Sequence, residues 1–173
     1  MIIKILGSVL IICSTTLLGY IYSNIDKYRI LELSELEKAM SVLKSQIEFV
    51  AMPLPQAFFE TASRVKPPAS DIFKAVSNKI ERKEGQTIKD IWCEAILEST
   101  KNTYLTKEDK EELCALGLTL GYLDKIRQQR SIMLFEEYIK ETKSALKAKS
   151  LVSSKLYMSM GVLSGLIIAV VLI

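Results

Sequence analysis

The feature that most constrains this chain is the segregation of its charge. Residues Ile5 to Ser23 carry no charge and are mostly apolar, and Leu156 to Ile173 repeat that pattern. Of the 23 Lys and Arg, only Lys4 lies outside residues 24–155, and all 20 Asp and Glu lie inside them. Between the apolar ends there is room for one domain of roughly 130 residues, enough for a modest core of its own. The expected organisation is a transmembrane anchor over 1–23, a cytoplasmic helical bundle over 24–155 and a second transmembrane anchor over 156–173.

The first apolar segment has a competing reading as a cleaved signal peptide. Against it, no small-x-small site is followed by a plausible mature start. The apolar run also continues through Tyr20 and Tyr22, which resemble interfacial anchors ahead of Lys27 and Arg29. The second segment, at ~1.5 Å per helical residue, spans about 27 Å, just enough for a bilayer core. Its charge-free composition on every face argues against a terminal core helix. Gly161 and Gly165 form a G-x-x-x-G pair, with Thr15 and Gly19 as a weaker small-x-x-x-small pair. Such spacing lets helix backbones meet closely in lipid, either between the two anchors or between protomers. Lys27, Arg29 and Lys38 follow the first anchor, and Lys140, Lys143, Lys147, Lys149 and Lys155 precede the second. That distribution places the middle region in the cytoplasm and both termini on the other side.

The middle region reads as helix throughout. Leu33, Leu36, Met40, Leu43, Ile47 and Val50 recur at spacings of three and four, a narrow apolar stripe on one long helix continuing from the first anchor. Pro53 and Pro55 end it, and Pro55 opens a second helix with Phe58, Phe59, Ala62 and Val65 as its apolar face. Pro67 and Pro68 stop that helix; Ser70 is the expected cap of the next, which carries Ile72, Phe73, Val76 and Ile80 up to Gly85. Thr87 with Asp90 and Thr106 with Asp109 resemble capping boxes. The first opens a helix bearing Ile88, Ile91, Trp92, Ala95 and Ile96; the second opens one bearing Leu113, Leu116, Gly117, Leu120 and Gly121. A last helix over about 124–149 carries Ile132, Phe135, Ile139 and Leu146. No run alternates like a strand. The expected fold is all-α: an antiparallel bundle of about six helices flanked by the two anchors.

Equipment for catalysis is sparse. There is no His, which removes the commonest general base and metal ligand together. No Gly-rich phosphate loop and no serine in a nucleophile elbow is present. Cys13, Cys93 and Cys114 form neither a disulfide framework nor a zinc pattern, and fit a reducing compartment. A net charge of +3 gives no case for nucleic acid. No metal and no cofactor is expected. Glu108, Asp109, Glu111 and Glu112 read as a solvated first turn that matches the helix dipole, with a cation site as the sharper alternative. Lys79, Arg82, Lys83 and Lys89 form a basic stretch, by default a solvated face and otherwise a dock for an acidic partner. Gly117 and Gly121, four apart within a helical pattern, each cost about 1 kcal/mol against Ala. They point to close packing or a stop at Gly121, with Asp124 capping the last helix and Gln128 sharing its hydrogen bonds.

In these residues the chain resembles the stage III sporulation protein AB family of endospore-forming bacteria, over nearly its full length. The matching features are Ile3-Lys4-Ile5-Leu6-Gly7, Arg29, Gln46-Ile47-Glu48, Pro53-Leu54 with Ala57, and Trp92. The most specific run is Leu113, Leu116-Gly117, Leu120-Gly121, Asp124 and Gln128. Met52 stands where a small polar residue is more typical, and the Pro67-Pro68 and Gly85 connections look local to this sequence. The resemblance implies a soluble part similar to the cytoplasmic domain of the type II secretion platform protein F. It also implies a hexameric ATPase partner, stage III sporulation protein AA, together with other stage III sporulation channel proteins. The implied setting is the membrane around the forespore, with the domain on the mother-cell side. On this reading the protein is a non-catalytic platform. Lys79, Arg82, Lys83, Pro53 and Leu54 are then partner contacts. Gly117, Gly121, Asp124, Gln128 and Trp92 define the fold or an interface, and Gly161 and Gly165 pack membrane helices. The alternatives are a homo-oligomeric membrane spacer built on the G-x-x-x-G pair, and a cation-dependent membrane regulator using Glu108, Asp109 and Asp124.

Overall fold

The computed structural model describes residues 2–48, 50, 52–82, 87–120 and 125–172. Among these there are six α-helices and no strand: α1 (Ile2–Glu48), α2 (Leu54–Arg64), α3 (Ala69–Glu81), α4 (Ile88–Ser99), α5 (Lys107–Leu120) and α6 (Lys125–Leu172). The chain divides into two compact units. One comprises Met1–Tyr28 with Ser144–Ile173, and the other comprises Arg29–Lys143. Lys83, Gly121 and Asp124, three of the residues singled out from sequence, lie outside the described residues.

The Arg29–Lys143 unit is built on the leucine stripe of α1. Leu33, Leu36, Ala39, Met40 and Leu43 are fully buried, and Ile47 nearly so. Val50, expected to extend the stripe, is 55% exposed, because α1 has already ended at Glu48 and the helical period no longer turns Val50 inward. The backbone N–H of Met52 donates to the Gln46 carbonyl at 3.3 Å, closing the chain over the end of α1. Consecutive helices then pack on one another, α2 on α3, α3 on α4 and α4 on α5.

Three aromatics fill the centre of those layers. Phe58, Phe73 and Trp92 are each fully buried, with ring centroids 5.4–5.9 Å apart. The Phe73 ring meets Trp92 edge-on at 79°, the arrangement that sets a positive ring edge against a negative face. The buried face of α2 is Ala57, Phe58 and Thr61, and Val65 just past its end is buried as well. Phe59, expected inside, is exposed, since the helix turns about Phe58 and places its neighbour about 100° away. Thr61 tolerates burial because its hydroxyl donates to the Ala57 carbonyl at 2.7 Å.

Helix starts follow local chemistry. Thr87 caps α4, accepting from the Asp90 backbone N–H at 3.2 Å, as the capping-box reading requires. Helix α3 starts at Ala69 rather than behind Ser70; Pro68 takes the cap position, and the Ser70 hydroxyl bonds to Asp71 at 3.3 Å. The final helix does not stop near Lys149 but continues to Leu172, because no Pro or Gly interrupts residues 150–160.

In the other unit, most described large apolar side chains face outward. Leu6, Leu10, Leu17, Leu163 and Ile167 are each more than half exposed. Among the described residues one helical span, Val9–Glu48, is long and apolar enough to cross a membrane by length and composition, and Leu156–Val170 is a shorter apolar stretch.

The contrast between adjacent phenylalanines is testable. Phe58→Ala and Phe73→Ala should each destabilise the protein by about 3–5 kcal/mol, and Phe59→Ala by no more than about 0.5 kcal/mol. Denaturant unfolding of full-length protein in detergent, followed by fluorescence of the single tryptophan, measures the difference.

Candidate functional site

The largest concentration of polar chemistry among the described residues is a buried junction of three helices. Arg29 on α1, Asp109 in the first turn of α5 and Tyr138 on α6 meet there. Asp109 is 1% exposed in its side chain and Arg29 17%. The guanidinium grips the carboxylate with two prongs: Nε donates to Oδ2 at 2.8 Å and Nη2 to Oδ1 at 2.8 Å. The Tyr138 hydroxyl donates to Oδ1 at 2.8 Å, and the Thr106 backbone N–H donates to Oδ2 at 2.8 Å. Arg29 Nη2 also reaches the Thr106 hydroxyl at 3.2 Å. The Thr106–Asp109 capping box seen in the sequence is thus real, and the structure adds a long-range role to it. The expectation that Asp109 belongs to a solvated first turn is corrected, because Arg29 and Tyr138 close over it.

These contacts set the protonation states. Burial pushes the Asp109 carboxyl up, but donation from Arg29, the Thr106 N–H and Tyr138 outweighs it and holds the group below its ordinary 3.8. Donation to Asp109 raises Arg29 further, against its own desolvation. Burial and then the bond to Asp109 push the Tyr138 phenol up to about 12, so it stays a donor. With every lone-pair direction of Asp109 engaged, the carboxylate has no capacity left for a substrate proton or a cation. The cation-site alternative loses its central ligand.

One turn along α1, Glu32 accepts the Tyr104 backbone N–H at 2.8 Å. Burial raises the Glu32 carboxyl, while the N–H groups of Tyr104 and Leu105 counteract that rise. Glu35 accepts the Lys66 N–H at 2.9 Å, and Glu37 pairs with Lys143 on α6 at 2.6 Å. Neither Tyr138 nor these glutamate contacts is marked by a local pattern. Arg29 does carry a signal, as a family-like residue just ahead of the leucine stripe.

The glycine-rich segment of α5 is a packing site. The Trp92 indole Nε1 donates to the Leu113 carbonyl at 2.7 Å. A Cβ on Gly117 would lie 2.8 Å from Trp92 Cδ1, so the ring requires glycine there. Gln128, buried at the start of α6, donates to the Leu120 carbonyl at 3.1 Å, satisfying the C-terminal end of α5. Cys93 and Cys114 also meet across α4 and α5, with the Cys93 Sγ 3.7 Å from the Cys114 carbonyl. Burial and the neighbouring Cys93 push the Cys114 thiol up to about 12, which keeps it protonated and a poor nucleophile.

The sequence-predicted contact residues fall elsewhere and do not form one cluster with the junction. Lys79 is bridged by Glu94 at 3.0 Å and Glu98 at 3.1 Å, which neutralise it and tie α3 to α4. Arg82 is exposed at the end of α3. Pro53 is exposed and Leu54 half-buried at the start of α2. In the apolar unit, a Cβ on Gly161 would lie 2.8 Å from the Thr15 carbonyl and 3.2 Å from the Gly19 Cα. One on Gly165 would collide with the Thr15 hydroxyl. Thr15 opposite Gly165 and Gly19 opposite Gly161 make the two segments antiparallel, with their small residues turned toward each other.

The family model for stage III sporulation protein AB matches residues 4–173. The chain belongs to this family. Stage III sporulation protein AB of Bacillus subtilis (strain 168) is 28% identical over 170 residues, covering 98% of this chain and 99% of that protein. A solved structure of stage III sporulation protein AB shares the fold, with a TM-score of 0.66 at 24% identity, covering 72% of this chain and 97% of the other. Membership gives the protein a role in sporulation, and the family is named for a stage of development rather than for a reaction.

Asp109→Asn should cost about 2–3 kcal/mol, because it leaves the part-buried Arg29 guanidinium without its counter-charge. The pH dependence has a definite sign. A carboxyl held below its unfolded value contributes stability that is present above pH ~4 and lost as pH falls through the folded value. The acid limb of a stability–pH profile should therefore be steeper in the wild-type protein than in Asp109→Asn, measured by thermal unfolding from pH ~7 down to pH ~2.

Proposed function

We propose that this protein is a non-catalytic membrane platform of a sporulation channel complex, whose helical domain docks a hexameric ATPase of the stage III sporulation protein AA kind. The observation that carries this reading is full-length membership of the stage III sporulation protein AB family. The two apolar segments, closely paired at Thr15, Gly19, Gly161 and Gly165, support insertion of both as one two-pass anchor. On this reading the anchors span 1–23 and 156–173, with the helical domain over 24–155 between them. The lysines flanking the inner ends favour a cytoplasmic domain, and the setting that the family resemblance implies would put it on the mother-cell side of the membrane around the forespore.

The non-catalytic reading rests on where the reactive groups are spent. Asp109 is saturated by four donors, the Cys114 thiol is held protonated, and the chain has no His. The homo-oligomeric spacer loses its main argument, because Gly161 and Gly165 already meet Thr15 and Gly19 of the same chain. Among the partner-contact candidates, Lys79 is the weakest, since Glu94 and Glu98 already pair with it. Arg82 and Pro53, both exposed, are the better ones, and exposed Phe59 joins them.

The test is retention of the cognate ATPase by full-length protein in detergent, with and without ATP. The platform reading expects nucleotide-sensitive binding, unchanged by Lys79→Gln and weakened at least about tenfold by Arg82→Glu or Phe59→Glu. A folded protein that retains no ATPase in either nucleotide state removes the docking role.

A further inference from the structure

The net positive charge of the molecule resides in the apolar unit. Residues 1–28 and 144–173 hold five Lys and a single acid, Asp26, whereas residues 29–143 hold 18 Lys and Arg against 19 Asp and Glu. Within that unit Lys27, Lys147 and Lys149 are all exposed. They also lie on the same side of the close approach between Gly19 and Gly161. Counting along the helices at ~1.5 Å per residue, Lys27 stands about 12 Å from that crossing, Lys149 about 18 Å and Lys147 about 21 Å. The exposed tyrosines Tyr20, Tyr22 and Tyr157 lie nearer to it, within about 6 Å along the axes. From the crossing outward the order is therefore apolar surface, tyrosine, lysine. That is the order of hydrocarbon, interface and headgroup in a bilayer leaflet.

We infer that Lys27, Lys147 and Lys149 form a binding band for anionic lipid headgroups around the inner end of the paired apolar segments. The occupant follows from charge and from continuity. Three exposed lysines share this unit with a single acid, and along the helix axes they lie beyond the tyrosines that border a surface hydrocarbon chains would cover. Soluble acidic partners lack that apolar continuation. Long lysine side chains suit the role, because their stems lie along the apolar surface while the charged ends reach phosphate. The inference rests on the membrane-anchored reading of the two apolar segments.

The experiment reconstitutes full-length protein into phosphatidylcholine vesicles and proceeds in two steps. Flotation after alkaline extraction reads insertion; protein left at the bottom of the gradient overturns the membrane reading and this inference with it. Floating protein is then probed with spin-labelled phosphatidylglycerol and phosphatidylcholine, comparing the motionally restricted fraction of each. The wild-type protein should prefer phosphatidylglycerol at least about threefold at low salt, and the preference should shrink as salt screens it. The Lys27→Gln, Lys147→Gln, Lys149→Gln triple variant should lose the preference, and the corresponding Lys→Arg triple variant should keep it. Floating wild-type protein with no preference, or a preference that survives the glutamine variant, overturns the inference alone.

Discussion

The structure of the domain depends on how α1 satisfies one buried carboxylate. An ionised aspartate taken out of water is costly unless its oxygens are fully engaged. Asp109 meets that condition through two prongs of Arg29, the Thr106 N–H and the Tyr138 hydroxyl. The requirement fixes three helices together: α1 must present Arg29, α5 must begin just after the Thr106 cap, and α6 must run with Tyr138 facing Asp109. Glu32, Glu35 and Glu37 extend the same logic along α1, each holding a different part of the chain. The leucine stripe supplies the burial energy on one side of this helix, and the polar contacts at its flanks determine register.

The C-terminal half of α5 is organised by shape. Trp92 occupies the notch that Gly117 leaves in α5 and bonds to the Leu113 carbonyl, while Phe58 and Phe73 close over it. The helix-propensity cost of glycine is offset by a contact no side chain permits. In both places the groups with chemical potential, a carboxylate and an indole N–H, are fully committed to holding helices.

Much of this was legible in the sequence, for identifiable reasons. The stripe from Leu33 to Ile47 and the Thr87 and Thr106 caps are local patterns, and local spacing reports them directly. Among the described family-like residues, Trp92 and Gly117 pack on each other, Gln128 bonds the end of α5 and Arg29 is the ion-pair partner of Asp109. Tyr138 and the glutamates of α1 were not legible, because their partners lie 29 to 106 residues away and no spacing encodes such pairs. The pairing of Lys79 was not legible for the same reason: its basic neighbours are adjacent in sequence, whereas Glu94 and Glu98 come from the next helix. Val50 shows that periodicity fails once a helix has ended, and Phe59 that in a short helix a shift of one residue exchanges inside and outside.

The most direct test is a double-mutant cycle on Arg29 and Asp109, using Arg29→Gln, Asp109→Asn and the pair. Unfolding of the full-length protein in detergent is followed by Trp92 fluorescence. If this ion pair organises the domain, the two changes should be strongly non-additive, with a coupling energy of at least about 2 kcal/mol. Additivity to within about 0.5 kcal/mol would contradict that role and leave the three helices held by apolar packing alone.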